Sequence, residues 1–271
     1  MSSGSLRSLI MHVVLFAGAS ISFAQGRLIS IDTNRTMSEL DMSTGSPTAI
    51  GTLSTSAGTI GGLAFRHSSH TIFLASVSND ALYTLDIATG DVTLVGAFGD
   101  STISMNGLEY DDHSGKLYGH SNSNSSIYEV DQTTGAATLL GSTGLAGGIG
   151  NLGYDSQNDR LYMTNAFTDS LYEVNRTTGA ATLIGPLNGS TGSSGLAFNR
   201  DTGAMFLIDS ATDSLYTLNL STGQSTLVGS MGVGNAQGLV YVTTAPEPAS
   251  LAALGIGALA IYRKRRAKSR L

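Results

Sequence analysis

The sequence predicts an all-β fold: a five-bladed β-propeller of four-stranded antiparallel blades, closed by pairing between its first and last strands. Three observations lead there. The stretch Ser170 to Gly185 recurs with copies ending at Gly51, Gly96, Gly141 and Gly229, and its turn glycines Gly45, Gly90, Gly135, Gly179 and Gly223 lie 45, 45, 44 and 44 residues apart. That period is the length of one four-stranded blade. Each unit holds four short apolar segments rich in Leu, Val, Tyr and Phe, separated by turn residues, with no sustained helical period. Finally, the incomplete units at the two ends of segment 27–242 complement each other.

The first segment of a unit reads Gly62-Leu63-Ala64-Phe65, with copies at 107–110, 151–154, 195–198 and 238–241. The second reads Ile72-Phe73, Leu117-Tyr118, Leu161-Tyr162 and Met205-Phe206, and Leu28-Ile29 aligns with it near the N-terminus. The third is Leu82-Tyr83-Thr84-Leu85 and the fourth Val92-Thr93-Leu94-Val95, each with its copies. Asp86 to Gly90 joins the last two. The Asp or Asn at its start caps the turn, and the glycine accepts a positive φ. Two copies start with Asn175 and Asn219 rather than Asp, which argues against a fivefold carboxylate or metal site. The first unit lacks its first strand, and Gly238 to Val242 supplies only a first strand. Joined, they make one blade and leave no open edge in the ring.

Composition excludes several functions. No Cys is present, so disulfides, thiolate metal sites and Cys nucleophiles are out, and no Trp is present to stack on a sugar. Segment 25–248 carries seven basic against 20 acidic residues, a net of −13. A body this acidic, without clustered Lys and Arg, is no nucleic-acid binder.

The N-terminus reads as a secretory signal over residues 1–24: Arg7, an apolar run from Leu9 to Ala19, and Ser22-Phe23-Ala24 as the cleavage site, with Gln25 opening the mature chain. At the C-terminus, Pro246-Glu247-Pro248 precedes an apolar segment at 249–262. The basic cluster Arg263, Lys264, Arg265 and Arg266 follows, with further basic residues to 270. Proline stops any preceding strand, the apolar run enters the bilayer, and the basic cluster stays cytoplasmic. This tail, residues 245–271, resembles the PEP-CTERM sorting signal of Gram-negative bacteria. The resemblance implies export, transient membrane tethering through a short transmembrane segment, and processing by an exosortase-type membrane protease near Pro246-Glu247-Pro248. It also implies a source that makes exopolysaccharide, with the mature protein at the cell surface or in the extracellular matrix. Residues 27–242 resemble the secreted repeat propellers found with such tails.

Catalytic patterns are weak. Glu109 is the one carboxylate on a first strand, where Ala64, Gly153, Ala197 and Val240 hold the equivalent positions. With the neighbouring Asn106 and Asn151 it is the candidate channel or ligand site, and a solvated channel lining is the simpler reading. His67 and His70 share one first-to-second strand turn, His113 sits in the matching turn of the next blade, and His120 stands alone on the loop face. None has zinc-motif spacing, and no Ser lies in a nucleophile elbow. The loops between second and third strands and between blades carry Asn79, Asp80, Asn122, Asn124, Asn165, Asp169, Asp209 and Asp213. They read as solvated loops, with weak carbohydrate or Ca²⁺ contact as the sharper alternative. No catalytic residue, cofactor or metal site is assigned. The expectation is a non-enzymatic, exopolysaccharide-associated binding or structural protein. The competing expectation is a metal-dependent lactonase or lyase with its site near Glu109.

Overall fold

The computed structural model describes residues 26–190, 192–232 and 235–243. The signal segment with Ala24, the Pro246-Glu247-Pro248 motif, the apolar segment and the basic cluster lie outside the described residues.

The strands form five four-stranded antiparallel sheets. Blade 1 contains β1 (Arg27–Asp32), β2 (Thr36–Leu40), β3 (Pro47–Thr52) and the final strand β20 (Ala236–Val242), in the order β20-β1-β2-β3. Blade 2 holds β4 (Ile60–Arg66), β5 (Thr71–Ser76), β6 (Ala81–Leu85) and β7 (Val92–Ala97). Blade 3 holds β8 (Met105–Asp111), β9 (Lys116–Ser121), β10 (Ser126–Val130) and β11 (Ala137–Ser142). Blade 4 holds β12 (Gly150–Asp155), β13 (Arg160–Asn165), β14 (Ser170–Val174) and β15 (Ala181–Pro186). Blade 5 holds β16 (Ser193–Asn199), β17 (Ala204–Asp209), β18 (Ser214–Leu218) and β19 (Ser225–Ser230).

The ring closes as the incomplete end units require. β20 pairs antiparallel with β1 from Arg27↔Val242 to Ile31↔Gly238, and a bulge brings Asp32 opposite Ala236. The second strands read as nearly continuous apolar runs because neighbouring blades cover both of their faces. The core is therefore five slabs, one between each pair of adjacent blades. β20 feeds two of them. Val240 and Val242 enter the slab with blade 2, while Ala236, Leu239 and Tyr241 enter the slab with blade 5.

The repeated turn between third and fourth strands has the expected chemistry. Asp131 Oδ1 accepts from the amides of Thr133 (2.8 Å) and Thr134 (2.9 Å), and Asn175 Oδ1 does the same for Thr177 and Thr178 at 2.9 and 3.0 Å. Asp and Asn are interchangeable there because only an acceptor oxygen is needed. Gly135 follows at φ 78° and Gly179 at φ 75°. These glycines have a second role that the repeat alone does not reveal. A Cβ on Gly135 would strike the carbonyl of Gly96 in the preceding blade, and one on Gly96 would strike the carbonyl of Thr134. Gly179 meets Gly141 and Gly223 meets Gly185 in the same way, and Gly45 meets Gly229 at the ring closure, where the Cβ would lie 2.7 Å from the Gly229 oxygen. Each turn thus seats backbone-to-backbone on the last strand of the preceding blade.

Every fourth strand carries a bulge. In blade 2 the pairing runs Leu82↔Gly96 and then Tyr83↔Leu94, which skips Val95. The skipped residues Ile50, Val95, Leu140, Ile184 and Val228 turn inward against the slabs. The leucines before them, Leu94, Leu139, Leu183 and Leu227, point outward and are 57–60% exposed.

Candidate binding site at the two mouths of the central channel

The inner strands β4, β8, β12, β16 and β20 surround the axis, and the Gly-Leu pairs of four of them, with Asn151-Leu152 on β12, nearly fill it. Gly62, Leu63, Leu108, Leu152, Leu196 and Leu239 line a constriction with room for about 10 Å³. The glycines draw the strands together: a Cβ on Gly62 would meet the backbone of Leu108, and one on Gly195 would meet Leu239. This plug separates two chemically different mouths.

Glu109 lies at the mouth on the side of the first-to-second strand turns, in a small cavity shared with His67, Asp112, Tyr154 and Arg200. It is half-buried, and Oε1 accepts from the Tyr110 amide at 2.9 Å. Enclosure of the carboxyl pushes its pKa up to about 8, against the opposing bonds from the backbone amides of Tyr110 and Tyr154. Asp112 Oδ2 lies 3.5 Å from both His67 Nε2 and Arg200 Nη1. Burial raises the Asp112 carboxyl and lowers the His67 imidazole to about 4, a shift that nearby Arg200 reinforces. His67 is neutral at neutral pH, so its contact with Asp112 is polar rather than an ion pair.

Asn106 and Asn151 lie at the opposite mouth, on the loop face, with Ile149, Ser194, Ser210, Asn235 and Gln237. This funnel has room for about 110 Å³. The structure therefore separates the candidate trio: the two carboxamides share a mouth, and the leucine plug divides them from Glu109. The physical reason is strand geometry. Residues 106 and 109 stand at opposite ends of β8, which crosses the channel from face to face. Asn151 is buried and donates to the Ser193 carbonyl at 3.1 Å, whereas the half-buried Asn106 accepts from Ser104 Oγ at 3.1 Å.

Two expectations about the loop face need correction. His120 does not stand in a loop. It sits on β9, 1% exposed, and burial lowers its pKa to about 4. Several loop carboxylates and carboxamides are structural rather than solvated. Asp209 is fully buried, with Oδ2 accepting from Ser190 Oγ at 2.7 Å and from the Gly192 amide at 3.0 Å, and Asn165 Oδ1 caps its own turn at Phe167 and Thr168. Asn79 and Asn124 donate to the hydroxyls of Tyr83 and Tyr128. The i, i+4 spacing of Asn and Tyr in those two hairpins is the signal that could have shown this. Asp111, buried and bonded to Arg176 of the next blade, is a further structural carboxylate whose partner no local sequence spacing signals. Among the described residues, no three His, Asp or Glu side chains group as a metal centre would need.

With this geometry in view, known proteins divide fold from destination. A repeat of unknown function, DUF6923, matches residues 13–155, which is more than half of the chain. The chain belongs to that family. The PEP-CTERM protein-sorting motif matches residues 244–266, which marks the protein for export and exosortase processing. No curated protein matches the chain. Among solved structures, the chain is similar to one from a nidogen/laminin complex, 13% identical with a TM-score of 0.56, covering 80% of this chain and 98% of that one. It is also similar to a structural-genomics protein of unknown function from Bacteroides thetaiotaomicron, 17% identical with a TM-score of 0.55, covering 80% of this chain and 62% of that one. A third is a symmetrical protein of de novo evolutionary emergence, 17% identical with a TM-score of 0.52, covering 82% and 100%. At these identities the likeness establishes the propeller fold and nothing about ligands.

Proposed function

We propose that the exported propeller is a non-enzymatic binding protein of the cell surface or extracellular matrix, associated with exopolysaccharide. One observation carries this reading: the ionisable groups and the hydrogen-bonding carboxamides of the channel face opposite mouths, with Leu63, Leu108, Leu152, Leu196 and Leu239 between them. A catalytic site that used both sets would need them to converge on one reacting atom. A binding funnel needs only neutral donors and acceptors at an accessible rim. The sorting tail adds delivery to the outside.

A second reading is supported by the Glu109 mouth, where a carboxyl with a pKa near 8 shares a cavity with Asp112, His67 and Arg200. That set could serve a lactonase- or lyase-type reaction. Incubating the secreted protein with the host's exopolysaccharide separates the two. The binding reading expects the protein to be retained and the polysaccharide to be recovered with unchanged chain length. Shortened chains or new unsaturated ends, lost in Glu109→Gln, would establish the enzyme instead.

A further inference from the structure

We infer that the loop-face funnel is a subsite for neutral polysaccharide, which grips hydroxyls with carboxamides and covers the apolar face of a sugar ring with Ile149 and Phe167. This rests on the binding reading above and specifies its ligand and its place. The funnel supplies Asn106, Asn151, Ser194 and Gln237. Carboxamides and hydroxyls donate and accept at once without charge, which matches the sugar hydroxyl, itself both donor and acceptor. Asn151 is held by the Ser193 carbonyl, so part of the site is preformed.

The apolar half of the site lies alongside. Ile149 lines the funnel and is 48% exposed. Its carbonyl accepts from the Ala166 amide at 3.0 Å, which fixes the β13–β14 hairpin beside the funnel. The next residue, Phe167, is 74% exposed. An aromatic ring left in water at a hairpin tip, while the aromatic rings of the strands are buried, is a contact surface without an internal partner. A pyranose ring presents both chemistries, with hydroxyls at its edge and C–H groups on its faces.

Charge selects the neutral class. Among the described residues, the funnel contributes no charged side chain. The groove of about 420 Å³ that adjoins it through Ile60 and Gln237 contains Asp32 and Arg35, and both are engaged. Asp32 accepts from the Thr36 amide, and Arg35 donates to the carbonyls of Leu53, Ser54 and Gly58. With a body carrying −13 over segment 25–248, an anionic polymer is repelled, while a neutral one meets no penalty.

The test is affinity electrophoresis of the full-length protein in mild detergent, through gels containing the neutral or the anionic fraction of the host's exopolysaccharide. The neutral fraction should retard the parent. Phe167→Ala and Gln237→Ala should each weaken that retardation about tenfold, a change of one well-made contact, and Leu139→Ser on the exposed outer strand of blade 3 should leave it unchanged. Both altered side chains are exposed or half-buried, so unchanged melting temperatures should accompany the loss. Equal retardation by the anionic fraction, parental behaviour of both loop-face variants, or no retardation by the neutral fraction would each overturn the assignment. If the parent stays with the host's matrix while the neutral fraction leaves it unretarded, the glycan subsite fails and the matrix-binding reading stands. If the parent washes off the matrix, the broader reading itself fails.

Discussion

The Arg176 guanidinium of blade 4 donates to the fully buried carboxylate of Asp111 in blade 3. The same group bonds Asp159 Oδ1 at 2.7 Å and lies over the Tyr154 ring at 5.7 Å. Burial would raise the Asp111 carboxyl, but bonds from Ser114 and Arg176 outweigh it and hold it below its ordinary value. Asp159 falls to about 2 beside Arg176. Removing the cation strands a buried charge, so Arg176→Ala should cost about 3 kcal/mol. Urea denaturation of R176A, D111A and the double variant checks it. A coupling near zero would show that the contact contributes nothing to blade docking.

The dovetailed glycines predict a contrast between two sites of equal backbone geometry. Gly135 (φ 78°) faces the Gly96 carbonyl, whereas Gly144 (φ 76°) has open space where its Cβ would stand. Gly144→Ala should cost about 1 kcal/mol, the strain of positive φ alone. Gly135→Ala carries that strain plus a clash with backbone that cannot rotate away, and should cost about 3 kcal/mol or more. Thermal melts of the two variants decide it, and equal losses would mean that the blades yield at this contact.

Ring closure should depend on β20. Deleting Gly238 to Val242 exposes the edge of β1 and removes Leu239, Val240, Tyr241 and Val242 from the two slabs flanking blade 1. The expected outcome is aggregation or a broadened transition, because an open edge and two incomplete slabs follow from one deletion. A truncated protein melting as sharply as the parent, at the same temperature, would contradict the latch.

Stability should peak near pH 6.5. His67 and His120 each have a folded pKa of about 4 against an ordinary 6.5, so the unfolded chain takes up more protons and stability rises with pH across that window. Glu109 has the opposite sign. Its folded pKa of about 8 against 4.5 makes the folded state hold the extra proton, so stability falls as pH climbs from 4.5 to 8. The two histidines outweigh Glu109 below 6.5, although the raised Asp112 and Asp80 carboxyls share its sign, and above 6.5 Glu109 dominates the fall. Glu109→Gln keeps an acceptor for the Tyr110 amide and should remove the alkaline fall, with a gain of about 2 kcal/mol at pH 9 once the partial exposure of the side chain is allowed for. Melting curves from pH 4 to 9 test both slopes.

The fold was legible because its determinants are local and repeated. The Asp-or-Asn turn ending in glycine, the 44- or 45-residue period and the split blade are all visible in the letters. Relations between blades were less so. Leu94 and Val95 are adjacent apolar letters in a strand, and only the bulge decides that Leu94 faces water while Val95 packs. Gly135 reads as a turn residue from its position, yet its contact with Gly96 lies 39 residues away in sequence. The same limit applied at the channel. Glu109 and Asn106 are close in sequence, but a strand crossing the channel carries them to different mouths, and the amide funnel draws Asn151, Ser194 and Gln237 from three other strands.

The tail should act as a sorting device and not as part of the propeller. The strands end at Val242, just before the PEP-CTERM motif at residues 244–266. The apolar segment at 249–262 is short against the ~20 residues of a comfortable permanent span. It is long enough to stall translocation while Arg263 to Arg266 hold to the anionic cytoplasmic surface. Two forms are therefore expected in the native host: a membrane-bound precursor and a shorter form ending near residues 246–248. Replacing Pro246 and Pro248 with Ala should leave the propeller folded, since no described strand reaches them, and should trap the precursor in the membrane. Mass spectrometry of surface-extracted protein reads the outcome. Peptides from Leu251 to Tyr262 in the fully released form would sink the idea, because a segment removed at the membrane cannot leave with the product.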